Sequence, residues 1–296
     1  TYCPDIQEYD LAKEKRLHRL ISYINEEIDI AIKAKKPYEL HYPNLMRLIM
    51  QVAEEINDHC YSVNILELKK HGIHFVAASG RQLQSQELLF APVAKDISYL
   101  SENGAICQLY GKQFVISEFD RDFAMQIIEE LDKRPECKAA ISTPSTQYIK
   151  SGDEDFYQHM TTHLKYHITK IDNLKDIDEP IVKIAFLDTT NHKESYEHFN
   201  ALFGKKIKVV NAGNLWIDFI PFESNKGTGL KFVLEQLGLT PAEAICFGDQ
   251  QNDIEMLEYT ETSYVMAHSK PDVQKHATNI TESVEKTLRE LIKTLG

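Results

Sequence analysis

Hydrophobic positions along the chain change period several times. Over residues 7 to 35, Leu17, Leu20, Ile21, Ile24 and Ile28 recur at helical spacing. Pro37 and Pro43 interrupt the pattern, and residues 44 to 56 resume it with Leu45, Leu48, Ile49, Val52 and Ile56 on one face. From residue 62 the texture differs. A helical stretch ending in Glu67-Leu68-Lys69-Lys70-His71-Gly72 carries basic residues and a glycine at its end, as helix C-termini do. The short apolar run Ile73 to Ala78 then leads into the polar turn Ser79-Gly80-Arg81, and Ile97 to Leu100 leads into Glu102-Asn103-Gly104-Ala105.

The far end repeats the alternation. Leu230 to Leu237 reads as a helix closed by Gly238, Ala244 to Phe247 as a strand running into Gly248-Asp249, Ile254 to Leu257 as a helix, and Ser263 to Ala267 as a strand. Alternating strands and helices predict an α/β core with a mostly parallel sheet. Between the halves, Phe123 to Leu131 and Glu194 to Phe203 look helical and Ile181 to Leu187 looks extended. A block of this size between two halves of one sheet reads as an inserted domain. The expected organisation is a helical segment over residues 1–60, a core over 61–117 and 220–296, and a cap over 118–219.

Composition narrows the function. The net charge of −12 disfavours nucleic acid, whose phosphates need a basic surface. It leaves room for a small phosphorylated metabolite, because a bound divalent cation can supply local positive charge. No apolar run reaches the roughly 18 residues of a membrane span, and no basic, apolar leader opens the chain. The five cysteines form no Cys-x-x-Cys pair, which suits buried thiols in a reducing cytoplasm.

In an open parallel sheet, ligands bind beyond the carboxyl ends of the strands. Ser79-Gly80-Arg81 offers a hydroxyl and backbone N–H groups at a helix start, which suit a phosphate. Lys226 offers a fixed cation, and Gly248 to Asp253 offers two carboxylates, Asp249 and Asp253, spaced to hold a hard cation with waters, as Mg²⁺ prefers. Taken singly, the first is an ordinary turn, the second a solvated lysine and the third a helix cap. Their order along the chain is more specific than any one of them.

The strings LELKKHGIHFVAASGR (66–81), ENGA (102–105), NKGTGL (225–230) and ICFGDQQNDIEML (245–257) resemble the Cof-type, or subfamily IIB, phosphatases of the haloacid dehalogenase (HAD) superfamily. The resemblance implies a Rossmann-like core with an α/β cap and Mg²⁺-dependent hydrolysis of a small phosphomonoester such as a sugar phosphate. It implies that Ser79 and Gly80 hold the phosphoryl oxygens and that Lys226 neutralises the transferring group. It further implies that Asp249 and Asp253 hold Mg²⁺, and that Asn252 steadies the phosphate or Lys226. Arg81, Asn103 and Gly104 would line the same mouth.

One part of the family pattern is absent. Its first motif, Asp-x-Asp-Gly-Thr, supplies the nucleophile and the acid–base, and would lie roughly 35 to 40 residues before Ser79. That position falls on residues 39 to 44, which contain no aspartate. Asp58 is the nearest upstream candidate, and Tyr38 to Tyr42 makes a poor central strand, which should be strongly apolar. The nucleophile is therefore unidentified, and a catalytically dead relative that binds Mg²⁺ and a phosphorylated metabolite as a sensor or scaffold is the rival reading. Residues 1–60 would alternatively form a helical interaction module with an unknown protein partner.

Overall fold

The Lys226–Leu237 helix is the pivot of the architecture, and its sequence explains where it starts. Asn225 accepts a hydrogen bond from the Thr228 N–H at 2.8 Å while the Thr228 hydroxyl accepts one from the Asn225 N–H at 3.2 Å, a reciprocal cap. This cap starts the helix at Lys226 rather than at Leu230, where the apolar pattern begins, and overrides the low helix propensity of Gly227 and Gly229. Gly238, with φ +68°, ends it in the left-handed conformation.

The computed structural model describes residues 64–213 and 215–295, and the expectations for residues 1–60 lie outside the described residues. Asn64–Gly296 is one compact unit. It contains three sheets. The first runs β1 (Val76–Ala78), β2 (Ser98–Ser101), β3 (Ile106–Leu109), β4 (Lys112–Val115) in spatial order, with β1 and β2 parallel and the rest antiparallel. The second has six strands: β5 (Lys138–Ser142), β6 (Gln147–Lys150), β7 (Ile168–Ile171), β8 (Lys183–Leu187), β9 (Lys208–Gly213) and β10 (Trp216–Ile220), ordered β7-β6-β5-β8-β10-β9. The third is all parallel: β11 (Ile245–Gly248), β12 (Thr262–Met266), β13 (Asn279–Thr281). The fold is thus mixed α/β with parallel core strands, and the antiparallel β3–β4 hairpin extends one edge.

The strand expected over Ile73 to Ala78 is shorter than the apolar run. Helical residues 64–70 end at Gly72, with φ +77°, and the Ile73 N–H returns to the Leu68 carbonyl at 3.0 Å. Ile73 is therefore spent on closing the helix, and extended pairing begins at Val76.

The core runs between the first and third sheets through the Lys226–Leu237 helix. Leu230, Val233 and Leu234 pack with Leu100, Cys107 and Leu109 on one side and Cys246, Met256, Leu257 and Val265 on the other. Gly229 permits the close approach, since a Cβ there would sit 3.0 Å from both Gly104 Cα and Leu100 Cδ2. Among the described residues, β1 pairs with β2 alone and β11 with β12 alone, so no described strand joins the two parallel edges.

The six-stranded sheet has its own core. The Arg121–Asp132 helix, capped by Asp120, buries Ala124, Ile127, Ile128 and Leu131 at helical spacing. These meet Ile141, Ile184, Phe186, Phe199, Ile217 and Phe219. Among the described residues, no helix is long and apolar enough to cross a membrane.

Candidate active site

The carboxyl ends of β1, β2 and β11 and the start of the Lys226–Leu237 helix converge. After β2, the chain turns through Glu102, Asn103 and Gly104, with φ of +50°, +57° and +92°. Left-handed backbone at two successive non-glycine residues costs roughly 1–2 kcal/mol each and persists only where its surroundings over-determine it. Here backbone bonds lace the turn to the Ser79-Gly80-Arg81 loop. The Asn103 N–H donates to the Ser79 carbonyl at 3.2 Å, and the Glu102 N–H to the Arg81 carbonyl at 3.1 Å. Two glycines make close contacts, and Gly104 is required as glycine because its contact is with backbone and its φ is +92°. A Cβ on Gly104 would lie 2.3 Å from the Asn225 carbonyl oxygen, and one on Gly80 2.8 Å from Asn103 Oδ1.

Of the residues singled out from sequence, most are brought together. Asn252 Nδ2 donates to Asn103 Oδ1 at 2.9 Å, joining the ends of β11 and β2. Lys226 is buried and its ammonium donates to Asp253 Oδ1 at 2.5 Å. The other oxygen of Asp253 accepts the Asp249 and Gln250 N–H groups at 2.8 and 2.9 Å. Asp253 thus orders the loop and fixes Lys226, leaving few of its lone pairs for a metal. Asp249 differs: its side chain is 42% exposed, touched by Gln250 Nε2 at 3.1 Å and by His268 at 3.9 Å. Ser79 Oγ accepts the Arg81 N–H at 3.2 Å. The Arg81 side chain is exposed and donates to Ser85 Oγ at 3.4 Å.

Sequence reading missed a second buried group. Lys183 of β8 donates to the Gly80 carbonyl at 3.2 Å and pairs with Glu102 at 2.5 Å, with side chains 7% and 1% exposed. Asp218 of β10 and Tyr166 complete the surroundings. Burial drives the Lys183 pKa down, but the charges of Glu102 and Asp218 outweigh it and the net shift is upward, so Lys183 stays charged. Burial pushes the Asp218 carboxyl and the Tyr166 phenol up. The signal was present: a lysine and an aspartate inside the apolar strands KIAFL and WIDFI, where a charge needs a partner.

Further contacts join the six-stranded unit to the same loop. Gln82 exchanges two hydrogen bonds with the His167 backbone, at 2.9 and 2.7 Å, and Gln84 reaches the Ser145 carbonyl at 3.1 Å.

Comparison with known proteins speaks to the family and the fold. The profile of the haloacid dehalogenase-like hydrolases matches residues 54–287. The 5-amino-6-(5-phospho-D-ribitylamino)uracil phosphatase of Escherichia coli K12 is 26% identical over 204 residues, 69% of this chain and 75% of that protein. A haloacid dehalogenase-like hydrolase of Bacteroides thetaiotaomicron superposes with a TM-score of 0.68 at 18% identity, covering 79% of this chain and 92% of its own. A HAD/COF-like hydrolase candidate of Plasmodium vivax gives 0.67 at 17% identity, covering 80% and 88%. At such identities the two structures speak to the fold. The chain belongs to the haloacid dehalogenase-like hydrolases.

Proposed function

We propose that this chain carries the Mg²⁺-dependent phosphate site of a Cof-type phosphatase and takes a small phosphomonoester such as a sugar phosphate. The observation that carries the reading is the buried Lys226–Asp253 pair, set beside the open carboxylate of Asp249 and the Ser79-Gly80 turn. Ser79 Oγ and the Gly80 N–H would bind phosphoryl oxygens, with Arg81, Asn103, Gly104 and Asn252 lining the mouth. The E. coli relative is named for 5-amino-6-(5-phospho-D-ribitylamino)uracil, a phosphomonoester whose phosphate sits on a ribityl chain. The six-stranded unit, residues 118–219, would act as the cap, excluding water and selecting the leaving group.

The residues present fit Mg²⁺. This ion keeps several waters and takes one or two carboxylates plus substrate phosphate, rather than an all-protein cage. Among the described residues no group of three or more potential ligands gathers. Asp249 is the direct ligand of choice, and Asp253 would contribute through water or its Lys226-bound oxygen. When bound, Mg²⁺ would neutralise charge on the phosphoryl oxygens. The chain's own part is to hold the Lys226 side chain fixed by Asp253 at the transferring group, which is preorganised electrostatic help.

A second reading follows from one observation. Among the described residues, the Lys226 ammonium pairs with Asp253 only, and Asp253 is tied up by two amides. No described carboxylate stands ready to attack phosphorus. The described site would bind and polarise a phosphate without a nucleophile, as a sensor or scaffold would, unless an aspartate of residues 1–60, with Asp58 the nearest along the chain, supplies it. Turnover of a sugar phosphate panel with and without Mg²⁺, beside Asp249→Asn and Asp58→Asn, separates the readings. We expect little or no turnover. Robust Mg²⁺-dependent hydrolysis lost in Asp249→Asn would overturn the binding-only reading, and a parallel loss in Asp58→Asn would identify the nucleophile.

A further inference from the structure

The Gly80–Arg81 peptide is gripped at both ends. Its carbonyl accepts from the Lys183 ammonium at 3.2 Å, and its N–H donates to Ser79 Oγ at 3.2 Å. Lys183 comes from a strand of the six-stranded sheet 103 positions along the chain. On β8 it lies two residues from Ala185, whose partner on β10 is Asp218, so both charged side chains stand on one face of that sheet. Glu102 meets the same ammonium from the left-handed turn after β2. The titratable groups facing Lys183 are thus Glu102, Asp218, Tyr166 and, through Tyr166, Arg81.

We infer that Lys183 is a positioning residue for the phosphate loop, which rests on the reading of Ser79 and Gly80 as phosphate ligands. The ammonium fixes the orientation of the Gly80–Arg81 peptide plane. That plane in turn delivers its N–H to a lone pair of Ser79 Oγ. With one lone pair so occupied, the Ser79 hydroxyl hydrogen is directed outward and free to donate to a phosphoryl oxygen. The Glu102 carboxylate supplies the counter-charge that keeps an ammonium buried at this depth. The loop is therefore set in its binding geometry only while β8 lies against it. Seating of the six-stranded unit and readiness of the phosphate loop become one event, and the chain needs no separate signal between them.

A purely structural role is distinguishable. Lys183→Met alone would strand Glu102 as an unpaired buried charge and lower stability for that reason. The informative protein is Lys183→Met/Glu102→Gln, which removes both charges, compared with Glu102→Gln alone, which keeps the Lys183 donation to Gly80. The readouts are the dissociation constant for inorganic phosphate by calorimetry with Mg²⁺ present, and hydrogen exchange at the Arg81, Glu102 and Asn103 amides. In the double variant we expect phosphate affinity to fall about tenfold and exchange at these amides to rise by a similar factor, the scale seen when supporting contacts of a site are removed. In Glu102→Gln, Asp218 remains as a counter-charge and the donation from Lys183 to Gly80 is kept, so phosphate affinity falls clearly less than in the double variant. Equal affinity loss in both variants, or unchanged exchange in the double variant, overturns the inference. Wild-type protein that binds no phosphate overturns the phosphate-site reading instead, and the exchange data still decide whether Lys183 holds the loop.

Discussion

Lys226→Met isolates the buried pair at the heart of the site. The methionine keeps most of the lysine stem and removes the ammonium. Side chains of Lys226 and Asp253 are 8% and 4% exposed, so solvent cannot replace the lost partner. Breaking a buried ion pair by deleting one member costs about 3–5 kcal/mol. Asp253 keeps its two backbone N–H donors, at 2.8 and 2.9 Å, which places the expected loss near the lower end, about 3 kcal/mol. For a unit of this size that is a fall in Tm of roughly 6–12 °C. Adding Asp253→Asn removes the stranded charge, while the amide oxygen still accepts both N–H groups, and should restore roughly 1–2 kcal/mol. Urea denaturation with a constant m-value reads both quantities. A Lys226→Met protein within about 0.5 kcal/mol of wild type, the range of ordinary surface changes, would refute the claim that this pair is desolvated and structurally committed.

Other consequences follow from buried titratable groups. Burial pushes the thiols of Cys107, Cys137 and Cys246 up to about 12, 11 and 11, so native protein near neutral pH should resist iodoacetamide at these positions until it unfolds, and rapid labelling seen by mass spectrometry would contradict this burial. Asp188 is buried, which raises its pKa, but hydrogen bonds from Ser195, Asn191 and Thr190 prevail and hold it at about 2, against an ordinary 3.8. Its folded pKa is depressed, so it contributes about 2 kcal/mol above pH ~4 that is lost as pH falls toward ~2. Asp188→Asn should flatten that acid limb of the stability profile, and an unchanged slope between pH 4 and 2 would count against the assignment.

Much of the fold was legible because periodicity and capping agreed. Arg121–Asp132 and His192–Phe203 were read to within a few residues from apolar spacing, since each helix buries one face. The start of the Lys226–Leu237 helix was misplaced because Gly227 and Gly229 carry no apolar signal, yet serve close packing against the turn at Gly104. The approach of Asn252 to Asn103 joins residues 149 positions apart, and only the family motifs hinted at it. The Lys183–Glu102 pair escaped because periodicity finds apolar faces and gives no partner for a charge set among them. The sequence expects Mg²⁺ to be held, directly or through water, by Asp249 and by Asp253. In the structure the two oxygens of Asp253 serve Lys226 and the loop amides, a division of labour that spacing alone does not reveal.

On the proposed reading, Asp249 with Mg²⁺ and the Ser79, Gly80 and Lys226 groups form one phosphate site. The most direct test is calorimetric titration of inorganic phosphate into wild-type and Asp249→Asn protein, each with Mg²⁺ and with a chelator. Phosphate should bind wild type saturably and only with Mg²⁺, and binding should weaken at least about tenfold on the substitution, as when a metal ligand loses its charge. Phosphate binding of equal strength in all four titrations, or Mg²⁺ binding unchanged in Asp249→Asn, would contradict this reading.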